Sequence, residues 1–385
     1  MRRLALLLIA VLLSACADVR IAPAPVRLFD DSLFQAPRQV LDAAAIHAPS
    51  PAMRAYAAEV RQNRHGKAAR QALIDALYRR DDLKLEYDAA ITRTAAEAFA
   101  ARHANCLSLV IMTAALAEEA GIPVVFQSVP TADAWTRNGS LYFNVGHVNL
   151  LLGRESGEGL PLYDTGAWQL VDFMPPDAAS LRRAERIDRA TVTAMFMNNR
   201  AAEALARGDI NDAYWWTKQA IAAAPGLLHA YNTLAIVYQR HGDHALAEAA
   251  LRHALQREPD NTMMLSNLVQ LLQGAGRPGD AAPVQARLAT LQAAQPAPFH
   301  DFDLGRQAMA AGDYARARRL FERELRRDPY HAEFHFWLAQ AAAQLGDMRA
   351  ADEHLARAMA GSTTSTDRAL YSAKLERLRA LTRPH

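Results

Sequence analysis

The feature that most constrains the fold of this chain is a Gly-Asp pair that recurs through its C-terminal half. The pair stands at 208–209, 242–243, 312–313 and 346–347, and Gly276 lies at the intermediate position, so the spacings are 34, 34, 36 and 34 residues. A unit of this length accommodates one helical hairpin, which can bury its apolar face only against neighbouring hairpins. The C-terminal half is therefore predicted to be an array of paired helices.

The clearest unit spans residues 228–261. Its recurring positions are Tyr231, Leu234, Tyr238, Gly242, Ala247, Ala254 and Pro259. The first three lie at i, i+3 and i+7 on one helix face, and the proline stops the second helix. These offsets resemble the tetratricopeptide repeat. Five units are predicted, at 191–227, 228–261, 262–297, 298–331 and 332–362, with a capping helix over 363–385. The resemblance implies an all-α solenoid whose groove binds a protein or peptide partner.

The first sixteen residues are typical of an export signal. Arg2 and Arg3 supply positive charge, and residues 4–13 are unbroken apolar, a run too short to span a bilayer. Residues 13–16, Leu-Ser-Ala-Cys, resemble the lipobox of bacterial lipoproteins. The resemblance implies that Cys16 is diacylated, becomes the mature N-terminus and anchors the protein in a membrane of the cell envelope.

Ala17 follows this cysteine, which favours the outer membrane, facing the periplasm. Residues 17–27 contain Pro23 and Pro25 and few apolar residues, so they are predicted to be an extended tether, with folded structure beginning near Leu28. Lipid attachment at Cys16 would leave Cys106 as the one remaining thiol of an exported protein.

Residues 28–188 combine helical and strand patterns. Asn105 is a good helix N-cap, and the apolar run 107–116 predicts a buried helix that stops near Gly121. Cys106 then lies in the first turn, where free main-chain N–H groups and the helix dipole favour a thiolate. Linked domains usually keep separate cores, so this region is expected to fold without the repeats.

The segments after this helix are rich in strand-forming residues. Strands are predicted over 122–129, 141–152, 160–164 and 167–173, with a turn at 164–166. His147 lies in the second strand and Asp172 near the end of the last. A strand pair can therefore bring an imidazole and a carboxylate together near the start of the cysteine helix.

Residues 105–108, 146–149 and 168–172, which carry Cys, His and Asp in that order, resemble the transglutaminase-like superfamily of papain-type cysteine hydrolases and acyltransferases. The resemblance implies an α+β, papain-like domain over 28–188 in which Cys106 is the nucleophile, His147 the general base and Asp172 the group that orients the imidazole. Two positions depart from the pattern. Ala104 stands where many members have glycine, and residues 153–159 lengthen the His147–Asp172 interval, so Asp164 is the alternative third member.

Charge and motif spacing exclude other classes. Lys and Arg total 43 against 41 Asp and Glu, a net charge of +2, which does not favour nucleic acid as a partner. Neither a zinc-ligand spacing nor a glycine-rich phosphate loop is found, so no metal and no cofactor is predicted.

Two functions fit these patterns. The first is a membrane-anchored cysteine hydrolase or acyltransferase acting on amide or isopeptide bonds, with repeats that recruit a partner. The alternative is a non-catalytic adaptor lipoprotein, in which the solenoid binds and the first domain is a relic. In that case Cys106 is a buried small hydrophobe, His147 a core residue and Asp172 a strand-end cap.

Overall fold

A computed structural model describes residues 28–38, 42–62, 69–78, 85–87, 91–129, 135–138, 141–144, 147–153, 168–173, 181–294, 300–327, 331–362 and 365–382. The predicted export signal, Cys16 and the tether lie outside these residues, as do the predicted strand 160–164 and Asp164. Within the described ranges, no helix is both long enough and apolar enough to cross a lipid bilayer.

The N-terminal part opens with a short 3-10 turn at Asp31–Leu33 and continues mainly as helices. These helices are α1 (Ala43–His47), α2 (Pro51–Gln62), α3 (Ala69–Tyr78), α4 (Ala95–Ala101) and α5 (Cys106–Glu119). Two short strands, β1 (Glu86–Tyr87) and β2 (His103–Ala104), pair in parallel just before α5. Every side chain of α5 from Cys106 to Ala117 is buried, so this helix forms the centre of the N-terminal part.

The remaining strands follow α5. They are β3 (Val124–Val129), β4 (Trp135–Asn138), β5 (Leu141–Asn144), β6 (His147–Leu152), β7 (Gln169–Val171) and β8 (Glu185–Ile187). Four of them form an antiparallel sheet in the order β7-β6-β3-β8, and β4 pairs with β5 in a separate antiparallel ribbon. The single strand predicted over 141–152 is thus two strands in different sheets. Helix α5 packs against β6.

The connection from α5 to the sheet is a left-handed turn. Gly121 has φ +78°, and the N–H of Ile122 donates to the carbonyl of Ala117 at 2.8 Å. This pairing satisfies one of the last helical carbonyls and turns the chain sharply into β3.

The described residues of the C-terminal part form eleven helices. They are α6 (Arg189–Ala206), α7 (Ile210–Ala223), α8 (Leu228–His241), α9 (His244–Leu255), α10 (Thr262–Gly274), α11 (Pro278–Ala294), α12 (His300–Ala310), α13 (Tyr314–Arg327), α14 (Ala332–Gln344), α15 (Met348–Ala360) and α16 (Ser365–Thr382). The first ten pair as five successive hairpins. Helix α16 packs on the last hairpin.

The recurring glycines account for the repeat length. They are Gly208, Gly242, Gly276, Gly312 and Gly346, and their φ angles lie between +72° and +106°. Each stands in the turn between the two helices of one hairpin, where a left-handed conformation disfavours residues with a Cβ atom. The 34-residue period is therefore the distance from one such turn to the next.

The hydrophobic core does not divide at the predicted domain boundary. One cluster of buried side chains runs from Leu28 through α5 and the sheet to Ala281 in α11, and α6 belongs to it. Only Asp188 separates β8 from α6, and it caps that helix by accepting a hydrogen bond from the Thr191 N–H at 2.7 Å. The expectation of separate cores therefore differs from the structure: the first repeats and the sheet share one core.

The fourth and fifth repeats have clusters of their own. Phe302, Phe321 and Phe334 belong to a second cluster that shares no residue with the first. Close packing within it is set by Gly305, where an added Cβ atom would lie 2.5 Å from Cε1 of Phe321. The proline-containing third repeat, which carries Pro283 inside α11, lies where the two clusters separate.

Candidate active site

Cys106 is the first residue of α5, as the sequence predicts. The side-chain oxygen of Asn105 accepts hydrogen bonds from the Ser108 N–H at 2.9 Å and the Ser108 hydroxyl at 2.8 Å, which starts the helix at this residue. The N–H of Cys106 lies in the first turn, where no helical carbonyl is available to it. An N–H at this position of a helix can donate to an anion next to the sulfur.

The sheet brings His147 to this helix end. His147 opens β6, paired with Val129 of β3, and β6 packs against α5. The distance from Cys106 Sγ to His147 Nδ1 is 3.6 Å, and Sγ also lies 3.5 Å from the carbonyl oxygen of Val148. Thiol and imidazole are therefore in contact.

Asp172 meets the other ring nitrogen of this histidine. It directly follows β7, whose last pair joins Val171 to Leu150 of β6. The Oδ2 atom of Asp172 accepts a hydrogen bond from His147 Nε2 at 2.9 Å. The structure thus aligns Cys106, His147 and Asp172 in that order.

Charge and burial act in opposite directions on His147. Burial alone would lower the pKa of this imidazole, but the hydrogen bond to Asp172 and the adjacent Cys106 outweigh burial and raise the pKa to about 10. The ring is therefore protonated at neutral pH. A protonated imidazole stabilises a neighbouring thiolate electrostatically, which is the ion pair that thiol nucleophiles need.

Asn149 is a site residue to which sequence reasoning gave no role. Its side chain is fully buried, and Nδ2 donates to the same Oδ2 of Asp172 at 2.9 Å. The sequence held a signal for it, because residues two apart on a strand face the same side and Asn149 follows His147 by two. Asn149 fixes the carboxylate that orients the imidazole.

The cap of the cysteine helix is itself held by Thr92. The Nδ2 of Asn105 donates to the Thr92 hydroxyl at 2.8 Å, and the N–H of Arg93 donates to the Ser108 hydroxyl at 2.8 Å. Asn105 and Ser108 therefore have partners on the segment before α4, as well as each other. These contacts fix the rotation of the helix start, and with it the direction of the Cys106 side chain.

Thr92 is in turn held by α6, the first helix of the repeats. Glu203 accepts a hydrogen bond from the Thr92 N–H at 2.7 Å, and Arg200 donates to the Thr92 carbonyl at 3.3 Å and to Glu203 at 3.1 Å. Burial raises the pKa of Glu203, against the lowering effect of these two partners. No local pattern predicts this contact, since Thr92 and Glu203 lie 111 residues apart. We call the chain Glu203–Thr92–Asn105 the cap relay.

No metal centre forms among the described residues, where no three His, Cys, Asp or Glu side chains gather around one point. Asp164, the alternative third member, and Cys16 are outside these residues. The chemistry that the described groups support is nucleophilic: a sulfur, a base in contact with it, and a carboxylate on the far side of the base.

A family model described as tetratricopeptide repeat matches residues 232–298 and 302–363. The C-terminal region is built of tetratricopeptide repeats. Both matched stretches lie after the candidate site, and they cover the second to fifth hairpins of the solenoid. Comparison with curated proteins gives no significant match.

Several solved structures are similar to part of this chain. One is YrrB, described as a TPR protein with an unusual peptide-binding site, at 21% identity over 47% of this chain and 92% of that chain, with a TM-score of 0.25. Another is TTC0263, a thermophilic TPR protein of Thermus thermophilus, at 18% identity over 47% of this chain and 98% of that one, with a TM-score of 0.32. Yeast Tom70 matches at 15% identity over 49% of this chain and 40% of its own, with a TM-score of 0.35.

Proposed function

We propose that the protein is a cysteine hydrolase or acyltransferase acting on amide or isopeptide bonds, with tetratricopeptide repeats that bind a protein or peptide partner. The observation that carries the proposal is the uninterrupted contact from sulfur to carboxylate: Cys106 Sγ to His147 Nδ1 at 3.6 Å and His147 Nε2 to Asp172 Oδ2 at 2.9 Å. The resemblance to the transglutaminase-like superfamily supports the same assignment.

The reaction follows from these positions. The Cys106 thiolate attacks the carbonyl carbon, and the Cys106 N–H at the start of α5 donates to the resulting oxyanion. The intermediate collapses to a thioester as the C–N bond breaks, and the His147 imidazolium gives its proton to the leaving amine. His147 then takes a proton from water or from an acceptor amine as that nucleophile cleaves the thioester and restores the thiolate. Asp172 keeps Nε2 protonated throughout.

We further propose that the protein is anchored to a membrane. Cys16, at the end of the predicted export signal, would carry the lipid that anchors the chain to the bacterial cell envelope. The sequence Leu-Ser-Ala-Cys at 13–16 supports this anchor. Membrane fractionation of the full chain and of Cys16→Ser tests it, because only the unchanged chain should sediment with membranes and incorporate a labelled acyl group.

Thiol reactivity tests the catalytic part. A chain beginning at residue 17 retains every described residue and has Cys106 as its one cysteine. We expect iodoacetamide to alkylate Cys106 at pH 7 at least about tenfold faster than it alkylates free cysteine, and His147→Ala to remove that advantage. His244→Ala, which changes an exposed histidine, is the matched control and should leave the rate unchanged. A rate that His147→Ala does not alter would refute the proposed nucleophile.

A non-catalytic adaptor is the second candidate, and the burial of Cys106 favours it. Only 7% of Cys106 is exposed, as for a small core residue. In an adaptor, Cys106→Ala would preserve partner binding and every cellular effect of the protein. In a hydrolase, the same change would preserve partner binding but abolish the effect.

A further inference from the structure

The first described residues lie on the repeats and not on the sheet. Residues 28–38, here called the strap, cross one face of α7 and α8, and the backbone is extended at Asp30 and Phe34 on either side of a 3-10 turn at Asp31–Leu33. The side chain of Asp30 caps this turn by accepting from the Ser32 N–H at 3.1 Å. The strap therefore meets the solenoid in the form of a bound peptide.

Side chains of the repeats satisfy the main chain of the strap. The Tyr238 hydroxyl accepts from the Asp30 N–H at 3.1 Å and donates to the Leu28 carbonyl at 3.0 Å. Further along the strap, Asn211 accepts from the Gln35 N–H at 2.9 Å, and Trp215 donates to the Gln35 carbonyl at 2.6 Å. At the end of the strap, Asp212 accepts from the Arg38 N–H at 2.9 Å. These five hydrogen bonds would be available to any chain with this backbone path.

Side chains of the strap add sequence-specific contacts. Arg38 forms an ion pair with Asp209 at 3.2 Å at the end of the strap, and Phe34 and Asp31 make the contacts nearer its centre. The ring of Phe34 stacks on Tyr214 with centroids 3.9 Å apart and an angle of 8°, and Tyr238 and His241 close the other sides. Asp31 accepts two hydrogen bonds from Lys218 at 2.6 Å and one from the Tyr214 hydroxyl at 2.7 Å.

These partners, Lys218 first and Tyr214 second, lower the pKa of Asp31, so the carboxylate is ionised at neutral pH. Lys218 also lies 5.2 Å from the centre of the Trp215 ring. The cation is therefore fixed by an aromatic face as well as by the carboxylate. This surface therefore presents two fixed features to a peptide, the Lys218 cation and the aromatic slot beside Tyr214.

We propose that this face of α7 and α8 is a peptide-binding site, filled in cis by the strap, and that the partner it fits is an extended peptide with an acidic residue three positions before an aromatic one. The inference deepens the peptide-binding role in the proposed function and rests on it. Hydrogen bonds to the main chain provide affinity without regard to sequence, while Lys218 and the Tyr214 slot select the acid and the ring.

Because the strap already occupies the site, a competing peptide must displace a segment of the same chain. A segment joined to its site by a short chain has an effective concentration in the millimolar range. The apparent Kd for a free peptide equals the intrinsic Kd divided by the fraction of molecules in which the site is open. A substitution in the strap weakens its contacts but leaves the residues of the site unchanged. Such a substitution should therefore open the site more often and raise its apparent affinity for a free peptide.

The test measures binding of a fluorescein-labelled peptide of residues 28–38 to the chain that begins at residue 17. We expect Phe34→Ala in the protein to tighten binding at least about tenfold relative to the unchanged protein, because the site is then open more often. Adding Lys218→Glu to the Phe34→Ala protein should abolish this gain in affinity. A peptide carrying Asp31→Lys should bind the double variant again, because the charges of the pair are then reversed. A peptide carrying Phe34→Ala should not bind.

Asp31→Ala in the protein is the second variant. It is needed because truncating the buried Phe34 could unfold the chain. The Asp31 side chain is 49% exposed, so its truncation should not. Circular dichroism verifies folding of both. Folded Asp31→Ala protein that binds the peptide no better than unchanged protein, or binding that Lys218→Glu leaves intact, overturns the inference. Neither result bears on Cys106 alkylation, so failure of this inference is distinguishable from failure of the proposed chemistry.

Discussion

At His147, burial and neighbouring groups act on the charge of the imidazole in opposite directions. The His147 and Asp172 side chains are only 5% and 7% exposed, yet they form an ion pair whenever the imidazole is protonated. A buried charge of this kind is tolerated only where its partners are fixed, and Asn149 supplies that restraint on the carboxylate. The site therefore couples protonation of one ring to the stability of the fold.

That coupling predicts a pH dependence of stability. The pKa of His147 is raised from 6.5 to about 10 in the folded chain. Because the folded state holds this proton more tightly than the unfolded state, its contribution is complete below pH 6.5 and is lost as the pH rises to about 10. We expect the free energy of unfolding of the chain from residue 17 to fall by on the order of a few kcal/mol over this range.

Urea denaturation at intervals from pH 6 to pH 10 measures this effect. The His147→Gln variant lacks the titrating ring, so its stability should fall less over the same interval. The His244→Gln variant retains His147 and should follow the unchanged protein. Parallel curves for the unchanged protein and His147→Gln would contradict the prediction.

At the scale of elements, the start of α5 depends on a helix that lies far along the sequence. The cap relay links Glu203 of α6 to Asn105 through Thr92, so the direction of the Cys106 side chain is set partly by the first repeat. Replacing Thr92 by valine keeps the volume but removes the acceptor of the Asn105 amide. Leaving a buried donor unsatisfied costs about 1–3 kcal/mol, and the helix start can move to avoid that cost.

We therefore expect Thr92→Val to slow Cys106 alkylation while the chain remains folded. Thr113→Val is the matched control. Thr113 lies in the same helix as Cys106, is fully buried, and its hydroxyl has no hydrogen-bond partner among the described residues. Its replacement should leave the alkylation rate unchanged and stability equal or slightly higher. Equal rates in the Thr92→Val and Thr113→Val proteins would show that the relay does not position the thiol.

For the whole molecule, the shared core decides which part can fold alone. A chain from residue 17 to 188 lacks α6, whose Val192, Phe196 and Met197 are buried in the first cluster. A chain from 17 to 294 retains that cluster in full. We expect the longer fragment to unfold cooperatively and to keep the alkylation rate of Cys106, and the shorter one to lack a cooperative transition. A folded, reactive fragment ending at 188 would contradict this expectation.

Local signals allowed much of the molecule to be predicted. The start of α5 at Cys106 follows from Asn105, because a cap involves residues three apart, and the hairpin turns follow from glycine spacing. Asp172 could be placed near His147 because paired strands bring their ends together. The limit appears at residues 141–152, which are predicted as one strand but form β5 and β6 in different sheets.

The contacts that the sequence did not predict are those between distant segments. An apolar stripe shows that a helix face is buried but not which element covers it, so the burial of α6 against α5 and the sheet had no local signature. The same holds for the strap, in which Asp30 contacts Tyr238 across 208 residues. Both contacts join the first repeats to parts of the chain that precede them.

Attachment of the strap to the first repeats sets a length scale for the molecule at a lipid surface. Only twelve residues of chain lead from Cys16 to Leu28, and a fully extended chain spans at most about 3.6 Å per residue, or about 43 Å in total. An acyl group on Cys16 would thus hold Leu28, where the strap meets the first repeats, within a layer about 43 Å deep above the bilayer. Encounters with partners would then be a search in two dimensions, and only molecules that reach into that layer would be met.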